Sequence, residues 1–264
     1  MVIGQQFLMP KNNKLIQSKE LSIHLFMNGF SFCTQSKIDF IPSPNSLILN
    51  LPKKLDKYLD QYPKETFSNI SLVFFNGPST FVPKSLFQSD SIKQYLQYYK
   101  KTDPRDIYSY DSLEGEVNLY SYSEVIKKIT SEASKPIKYI HYNSILFRII
   151  KKISQKKKRP QFHIHLQKEF VDLFLIKNEQ LIFNNRFSVK TEDEFLYYVF
   201  FIVEQFLLKI DSFDFVFLGK IKEFNSYYKA IKLYHKEVYF HEEHDLSSNY
   251  LEKHSAPFLA QYFS

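Results

Sequence analysis

Between Leu21 and Phe32 the chain reads LSIHLFMNGFSF. Leu21, Ile23, Leu25 and Met27 alternate with Ser22, His24 and Phe26, the period of two that marks a strand. Asn28-Gly29 follows, a strong hairpin signal because both central positions of a type I′ turn need positive φ. FSFCTQS returns as the second strand, and PNSLILNLP, bracketed by prolines, predicts a third. KKLDKYLDQY places Leu55, Tyr58, Leu59 and Tyr62 at helical spacing. ISLVFFN predicts a buried strand, and VPKSLFQSDSIKQYLQYYKKTDP one or two helices stopped by Pro104. GEVNLYSYS then predicts a strand, SEVIKKITSEAS a helix, PIKYIHY a strand and NSILFRIIKKIS an amphipathic helix.

A charged run, QKKKRPQ, interrupts the pattern and divides the chain into 1–155 and 156–264, with residues 1–20 expected to fray. After it the order begins again. QFHIHLQK, FVDLFLIKNE and QLIFNNRFSV predict three consecutive strands, the middle one turning over at Lys177 to Gln180. TEDEFLYYVFFIVEQFLLK predicts a helix capped by Thr191 with Glu194 as its capping-box partner. That helix is apolar on nearly every side and is expected to lie buried between other elements. FDFVFLG predicts a buried strand, EFNSYYKAIKLY a helix, KEVYFHE a strand and NYLEKHSAPFLAQYF a final short helix. Both halves thus open on three strands, a helix and a strand, the order expected of an internal duplication. Ile23-His24-Leu25 before the first turn matches Ile164-His165-Leu166 before the second.

Composition narrows the class. Of 264 residues 44% are hydrophobic and 24% charged, as in a soluble globular protein. The 27 Phe and 19 Tyr, with no Trp, are the background of an AT-rich coding genome. A net charge of +7, carried mostly by dispersed lysines, permits attraction to nucleic acid or anionic lipid, but reads first as a solvated surface. Cys33 stands alone, which excludes an intramolecular disulfide framework. The start lacks the pattern of a secretory signal. The longest apolar run, FLYYVFFIV, is far below the roughly 20 residues of a membrane span. A cytoplasmic location is expected.

Two copies of three antiparallel strands followed by alternating helices and parallel strands resemble the actin-like ATPase superfamily. LSIHLFMNGFSF, VPKSLFQSDSIKQYLQYY and FHIHLQKEFVDLFLIKNEQLIFNN are similar to a bacterial domain family of unknown function with a degenerate version of that fold. The resemblance implies an α/β, duplicated ribonuclease-H-like fold of two lobes, with mixed sheets flanked by helices. In active superfamily members each hairpin carries an Asp-x-Gly turn. Its carboxylate positions hydrated Mg²⁺ and its glycine lets backbone N–H groups approach phosphate. Carried onto this chain, the first turn is Met27-Asn28-Gly29, which keeps the glycine but has Met27 for the carboxylate. The second is Lys168-Glu169-Phe170, with neither. The late Gly-Gly element is reduced to Leu218-Gly219-Lys220. Only five glycines occur, against roughly eighteen at average usage. The resemblance therefore implies no cofactor, no metal and no catalytic residue, and, by analogy with pilus-assembly and cell-division relatives, another protein as partner. A divergent Mg-nucleotide site using Glu169 or Asp172 is the alternative.

The remaining candidates read more simply as structure. His163 and His165 share a strand face, but a third metal ligand is missing. HEEH, His241 to His244, lacks the spacing of a zinc-protease helix. Lys151 to Arg159 could bind RNA, DNA or anionic lipid, although a solvated linker explains the run. Asp172 and Glu179 flank the second half's hairpin, and would form a glycosidase or nuclease pair only with convergent partners. Cys33 reads as a small core residue. No P-loop, Gly-x-Ser-x-Gly or Cys/His catalytic signature is present.

Overall fold

The computed structural model describes residues 20–26, 29–34, 37–42, 50–63, 66–101, 103–167, 170–219 and 221–241, the side chains of 221–223 excepted. The first half runs β1 (Glu20–Phe26), β2 (Gly29–Cys33), β3 (Ile38–Pro42), α1 (Leu51–Leu59), β4 (Asn69–Phe74) and β5 (Ser79–Pro83). It continues with α2 (Ile92–Tyr99), β6 (Asp106–Ser112), β7 (Glu116–Ser123), α3 (Glu124–Thr130), β8 (Ile137–His141) and α4 (Tyr142–Ser154). The second half runs β9 (Gln161–Leu166), β10 (Phe170–Lys177), β11 (Gln180–Ser188), α5 (Glu192–Gln205), β12 (Asp214–Leu218), α6 (Ile221–Lys232) and β13 (Val238–Phe240).

Two five-stranded sheets result, ordered β3-β2-β1-β4-β8 and β11-β10-β9-β12-β13. In each the first three strands are antiparallel and the last two join in parallel. The same order and the same directions twice over give the duplicated, two-lobed mixed α/β fold. A third sheet, β5-β7-β6, is inserted between β4 and β8 of the first half.

Alternation along the strands decides which side each core lies on. Leu21, Ile23 and Leu25 pack with α1 residues Leu51 and Leu55. Phe162, Ile164 and Leu166 pack with Phe195 and Val199 of α5. The opposite faces, bearing His24 and Phe26 on β1 and His163 and His165 on β9, turn towards α4. This helix is buried on almost every side. Its Ile145, Phe147 and Ile150 share one cluster with Phe26 and Val73 of the first sheet and Phe174 and Ile176 of the second.

Several expectations are corrected here. The third strand is Ile38–Pro42, and Leu51 and Pro52, assigned to it from sequence, begin α1. Residues 43–49 lie outside the described residues, as do 1–19, Met27, Asn28, Lys168, Glu169, Glu242 to His244 and the final helix. The stretch read as one or two helices from Val82 opens instead with the end of β5, then two single 3-10 turns, before α2. β6 was not foreseen at all. The two long helices exchange roles: α4 is the one enclosed, whereas α5 buries only Phe195, Val199, Ile202 and Val203. Tyr197, at 64%, and Phe201, at 42%, face solvent. Apolar content measures what a helix could bury, and only its neighbours decide what it does bury.

Thr191 caps α5 as expected, accepting the Glu194 amide at 3.2 Å, while Glu194 Oε2 accepts the Lys190 amide, one residue before the cap. The helix ends in a Schellman motif. Leu208 N donates to the Val203 carbonyl at 3.0 Å and Leu207 N to that of Glu204 at 2.9 Å. The left-handed position of the motif, where glycine is usual, holds Leu207 at φ +50°. Relief of a left-handed side chain is worth about 1–2 kcal/mol, less the greater freedom of an unfolded glycine. Leu207→Gly is therefore expected to stabilise the fold by about 0.5–1 kcal/mol, read as a raised thermal midpoint. An unchanged or lowered midpoint would mean that Leu207 makes contacts that offset its strain.

Candidate functional site

The two hairpins of the resemblance pair their strands in the same register. Phe26 pairs with Gly29 across the first loop, and Leu25 with Phe30. Across the second, Gln167 N donates to the Phe170 carbonyl at 2.8 Å, and Leu166 pairs with Val171. The positions between the strands are thus 27 and 28, and 168 and 169. Gly29 is not a central turn residue but the first of β2, one place later than the turn read from sequence. The three-residue match of Ile23-His24-Leu25 with Ile164-His165-Leu166 falls at equivalent places, with His24 opposite Ser31 and His165 opposite Asp172.

Both expected glycines are accounted for by packing. A Cβ at Gly29, φ +153°, would lie 2.3 Å from the Ile41 carbonyl oxygen of β3. One at Gly219, φ +117°, would lie 3.2 Å from the Leu166 carbonyl oxygen. Each lets two main chains approach, which is the same physical need a phosphate would create, met here by the protein itself. Phe170 sets its ring against the Arg186 guanidinium, 5.1 Å from centroid to Cζ.

The side chains that converge behind the second hairpin form a buried ion pair. Asp172, fully enclosed on β10, accepts from Arg186 Nε at 2.8 Å and from the Tyr142 hydroxyl at 2.6 Å on Oδ1. Its Oδ2 lies 3.0 Å from His165 Nδ1 and accepts from Gln167 Nε2 at 3.2 Å and Arg186 Nη2 at 3.4 Å. Arg186, 17% exposed, also donates to the Tyr142 hydroxyl oxygen, and reaches the Phe75 carbonyl of the first half at 3.3 Å. Its guanidinium lies over the Tyr142 ring, which itself stacks on Phe75 with centroids 5.1 Å apart.

Burial alone would push the Asp172 carboxyl up. The charge of Arg186 and the bonds from His165 and Arg186 outweigh it and hold the group below the usual carboxylate range. Burial pushes the Tyr142 phenol far up, so it stays neutral and donating. The carboxylate has two oxygens and about four acceptor sites, and the surrounding donors fill them. Such a group is neither a free base nor an open metal ligand.

A second polar cluster closes the N-terminus of α4. Asp111 of β6 accepts from Ser144 Oγ at 2.5 Å, from the His141 amide at 3.0 Å and from the Tyr120 hydroxyl at 3.3 Å. Burial raises its carboxyl against the pull of these donors. Asn118 donates to Ser144 Oγ and Asn143 to Ser79 Oγ, each at 2.8 Å.

The other sequence candidates scatter. His163 and His165 do share a face, but His163 Nε2 meets Ser154 Oγ at 2.8 Å while His165 belongs to Asp172. His24 Nε2 lies 3.0 Å from Ser22 Oγ. Among the described residues no group of three His, Cys, Asp or Glu could hold a metal. Asp172 lies near the start of β10 and Glu179 in the turn beyond its end, roughly 20 Å apart by strand rise, and Glu179 Oε1 accepts the Lys156 amide at 3.2 Å. Cys33 is buried in the sheet. Within the basic run Arg159 is committed to structure, pairing with Asp214 at 3.3 Å and donating to the Asp211 and Phe213 carbonyls.

Sequence reasoning missed Arg186 and Tyr142. One signal was present: an aspartate in the middle of the apolar FVDLFLI must find a partner when buried. The partner could not be counted off. From the Lys177–Gln180 pair an unbroken ladder would set Asn185 opposite Asp172, and an irregularity between Leu175 and Ile176 brings Arg186 there instead.

Among the described residues no helix is long and apolar enough to cross a membrane. In structure the chain is similar to a Bacteroides thetaiotaomicron protein described as having an actin-like ATPase fold and unknown function. The match has 15% identity and a TM-score of 0.71, over 88% of this chain and 94% of that one. It is also similar to a chain of the PilM–PilN type IV pilus biogenesis complex, at 9% identity and a TM-score of 0.59, over 93% of this chain and 97% of that one. No curated protein matches. At such identities the likeness shows the fold alone, and that fold is actin-like. The model of the family described as "Protein of unknown function (DUF3822)" matches residues 10–238, and the chain belongs to that family.

Proposed function

We propose that this chain is a non-catalytic, protein-binding module or scaffold of the cytoplasm, built on an actin-like fold whose nucleotide site has degenerated, with lobes at 1–155 and 156–264. One observation carries the reading. Behind the second hairpin, beside the turn where the superfamily resemblance puts Mg²⁺ and phosphate, Phe75, Tyr142 and the Asp172–Arg186 pair pack and bond to one another. An Mg²⁺ ion at Asp172 would have to displace a guanidinium already bonded to both carboxylate oxygens. A polypeptide partner fits a chain with this fold and a closed site, and the PilM–PilN complex is an instance of a similar fold found in a protein–protein assembly.

A thermal-shift titration with Mg-ATP tests the reading, with Mg-ADP and metal-free nucleotide beside it. A ligand at a hundred times its dissociation constant stabilises by about 2.7 kcal/mol, a shift of several degrees. No shift at millimolar nucleotide is expected. A Mg-dependent shift lost in Asp172→Asn would overturn the proposal in favour of a divergent ATPase or kinase.

A further inference from the structure

The basic run that the ion-pair site leaves unused does not stand alone. Lys151 Nζ donates to the Glu179 carbonyl and the Lys156 amide to Glu179 Oε1, which ties the α4–β9 loop to the β10–β11 turn. On its other side Arg159 donates to the Asp211 carbonyl at 2.7 Å, and the Asp214 amide donates to the Pro160 carbonyl at 3.0 Å. The α4–β9 loop therefore lies against the segment that joins α5 to β12. Phe206 packs on Phe183 of β11 at 5.5 Å and brings the end of α5 to the same end of the lobe.

This end presents Lys152, Lys156, Lys157, Lys158, Lys177 and Lys209, all exposed. Three of the nearby carboxylates are already engaged, Asp214 by Arg159, Glu179 by the Lys156 amide and Glu237 by the Tyr239 hydroxyl, leaving Glu204 and Asp211. Among these lysines stand two aliphatic side chains, Leu207 at 87% and Ile210 at 60% exposure. Leu207 holds its exposed position in a left-handed conformation that glycine would adopt without strain. Neither side chain contributes to a buried core cluster of the lobe.

We propose that this end of the second lobe is a docking surface for an anionic lipid bilayer. Leu207 and Ile210 enter the headgroup–acyl boundary while the lysines of the α4–β9 loop lie on the lipid phosphates. Stable peripheral attachment takes two signals, an apolar insertion and a polybasic patch, and both occur here on one end. The alternative anion, nucleic acid, would be served by the lysines and by stacking on the exposed rings of Phe206 and Tyr239, but it has no use for the more exposed aliphatic tips Leu207 and Ile210. The contact stands whether or not the chain binds nucleotide.

Co-sedimentation of the full chain with vesicles of mixed phosphatidylglycerol and phosphatidylcholine, against pure phosphatidylcholine, tests it. Duplex DNA and single-stranded RNA are run as competing probes. Two variants are compared, Lys156→Gln/Lys157→Gln/Lys158→Gln and Leu207→Gly/Ile210→Ser. All five positions are exposed, and thermal midpoints near or above that of the parent establish that both variants fold. The parent is expected to bind the anionic vesicles only. The lysine variant should lose about a hundredfold in partitioning, and the aliphatic variant about tenfold or more. Equal binding to both vesicle types, or none to either, overturns the proposal. Binding that depends on the lysines alone and is as strong to DNA or RNA overturns it in favour of nucleic acid.

Discussion

Acidification from about pH 8 to about pH 5 is expected to remove a large part of this protein's stability, about 6 kcal/mol, in a range where few surface groups titrate. His24, His141 and His163 are fully buried, and burial lowers each to about 3, from 6.5 when free. The Arg186 charge adds to the effect on His141, opposed by Asp172, and His241 adds to that on His163. Protonation of His163 would also leave Nδ1 donating to nothing, since that atom has no partner among the described residues. The folded values lie below the unfolded one. The stability is therefore complete above pH 6.5 and is lost as pH falls towards 3, at about 1.4 kcal/mol per pH unit for each group.

Three such groups amount to about 4 kcal/mol per unit, or about 6 kcal/mol by pH 5, against a typical total of about 5–15 kcal/mol. Asp172, also depressed, adds in the same direction at lower pH. Asp111, raised by burial, opposes from the carboxylate range upwards. Urea midpoints across this range should fall steeply below pH 6.5, and His163→Gln should flatten the slope by about a third. A midpoint that barely moves between pH 7 and pH 5 would mean that these rings are hydrated or find acceptors when charged.

The second large effect is expected at Arg186. Arg186→Leu leaves the Asp172 carboxylate enclosed with Tyr142, His165 and Gln167 but without its counter-charge, and should cost about 3–5 kcal/mol. Adding Asp172→Asn removes the stranded charge while keeping an acceptor for the Tyr142 hydroxyl. The double variant should therefore be more stable than Arg186→Leu alone, although still below the parent. Denaturation of the four members of this cycle measures the coupling. A single variant that loses less than about 1 kcal/mol, or a double variant no better than the single, would show that water reaches the carboxylate and that the junction is open.

The repeated hairpins were readable because two-residue alternation and the shared Ile-His-Leu word are local facts, whereas the Asn-Gly dipeptide marked the first hairpin but misplaced its turn by one residue. What escaped was set by neighbours distant in sequence. β6 is a tyrosine-rich edge strand with mixed polarity, and its period carries too little contrast to announce itself. To a helical count α4 is amphipathic and α5 apolar on nearly every side, yet α4 lies between two sheets and α5 on a flank. Arg186 became the partner of Asp172 through one irregular step in a ladder, which shifts every later residue by one and exchanges the faces of the strand. The glycine count pointed to lost phosphate chemistry, whereas Gly29 and Gly219 turned out to serve the approach of one strand to another.

The enclosure of α4 reaches further than packing. Its Ile145, Phe147 and Ile150 touch apolar side chains of both sheets at once, so neither lobe owns the helix. A two-lobed machine that opens and shuts needs a seam along which its halves part with their cores intact. Here the seam runs through a core. Any rotation of one sheet against the other would have to unseat Phe26 and Phe174 from the same helix and break the reach of Arg186 to Phe75. Parting the two sheets along this line would therefore expose part of the core that α4 shares with both.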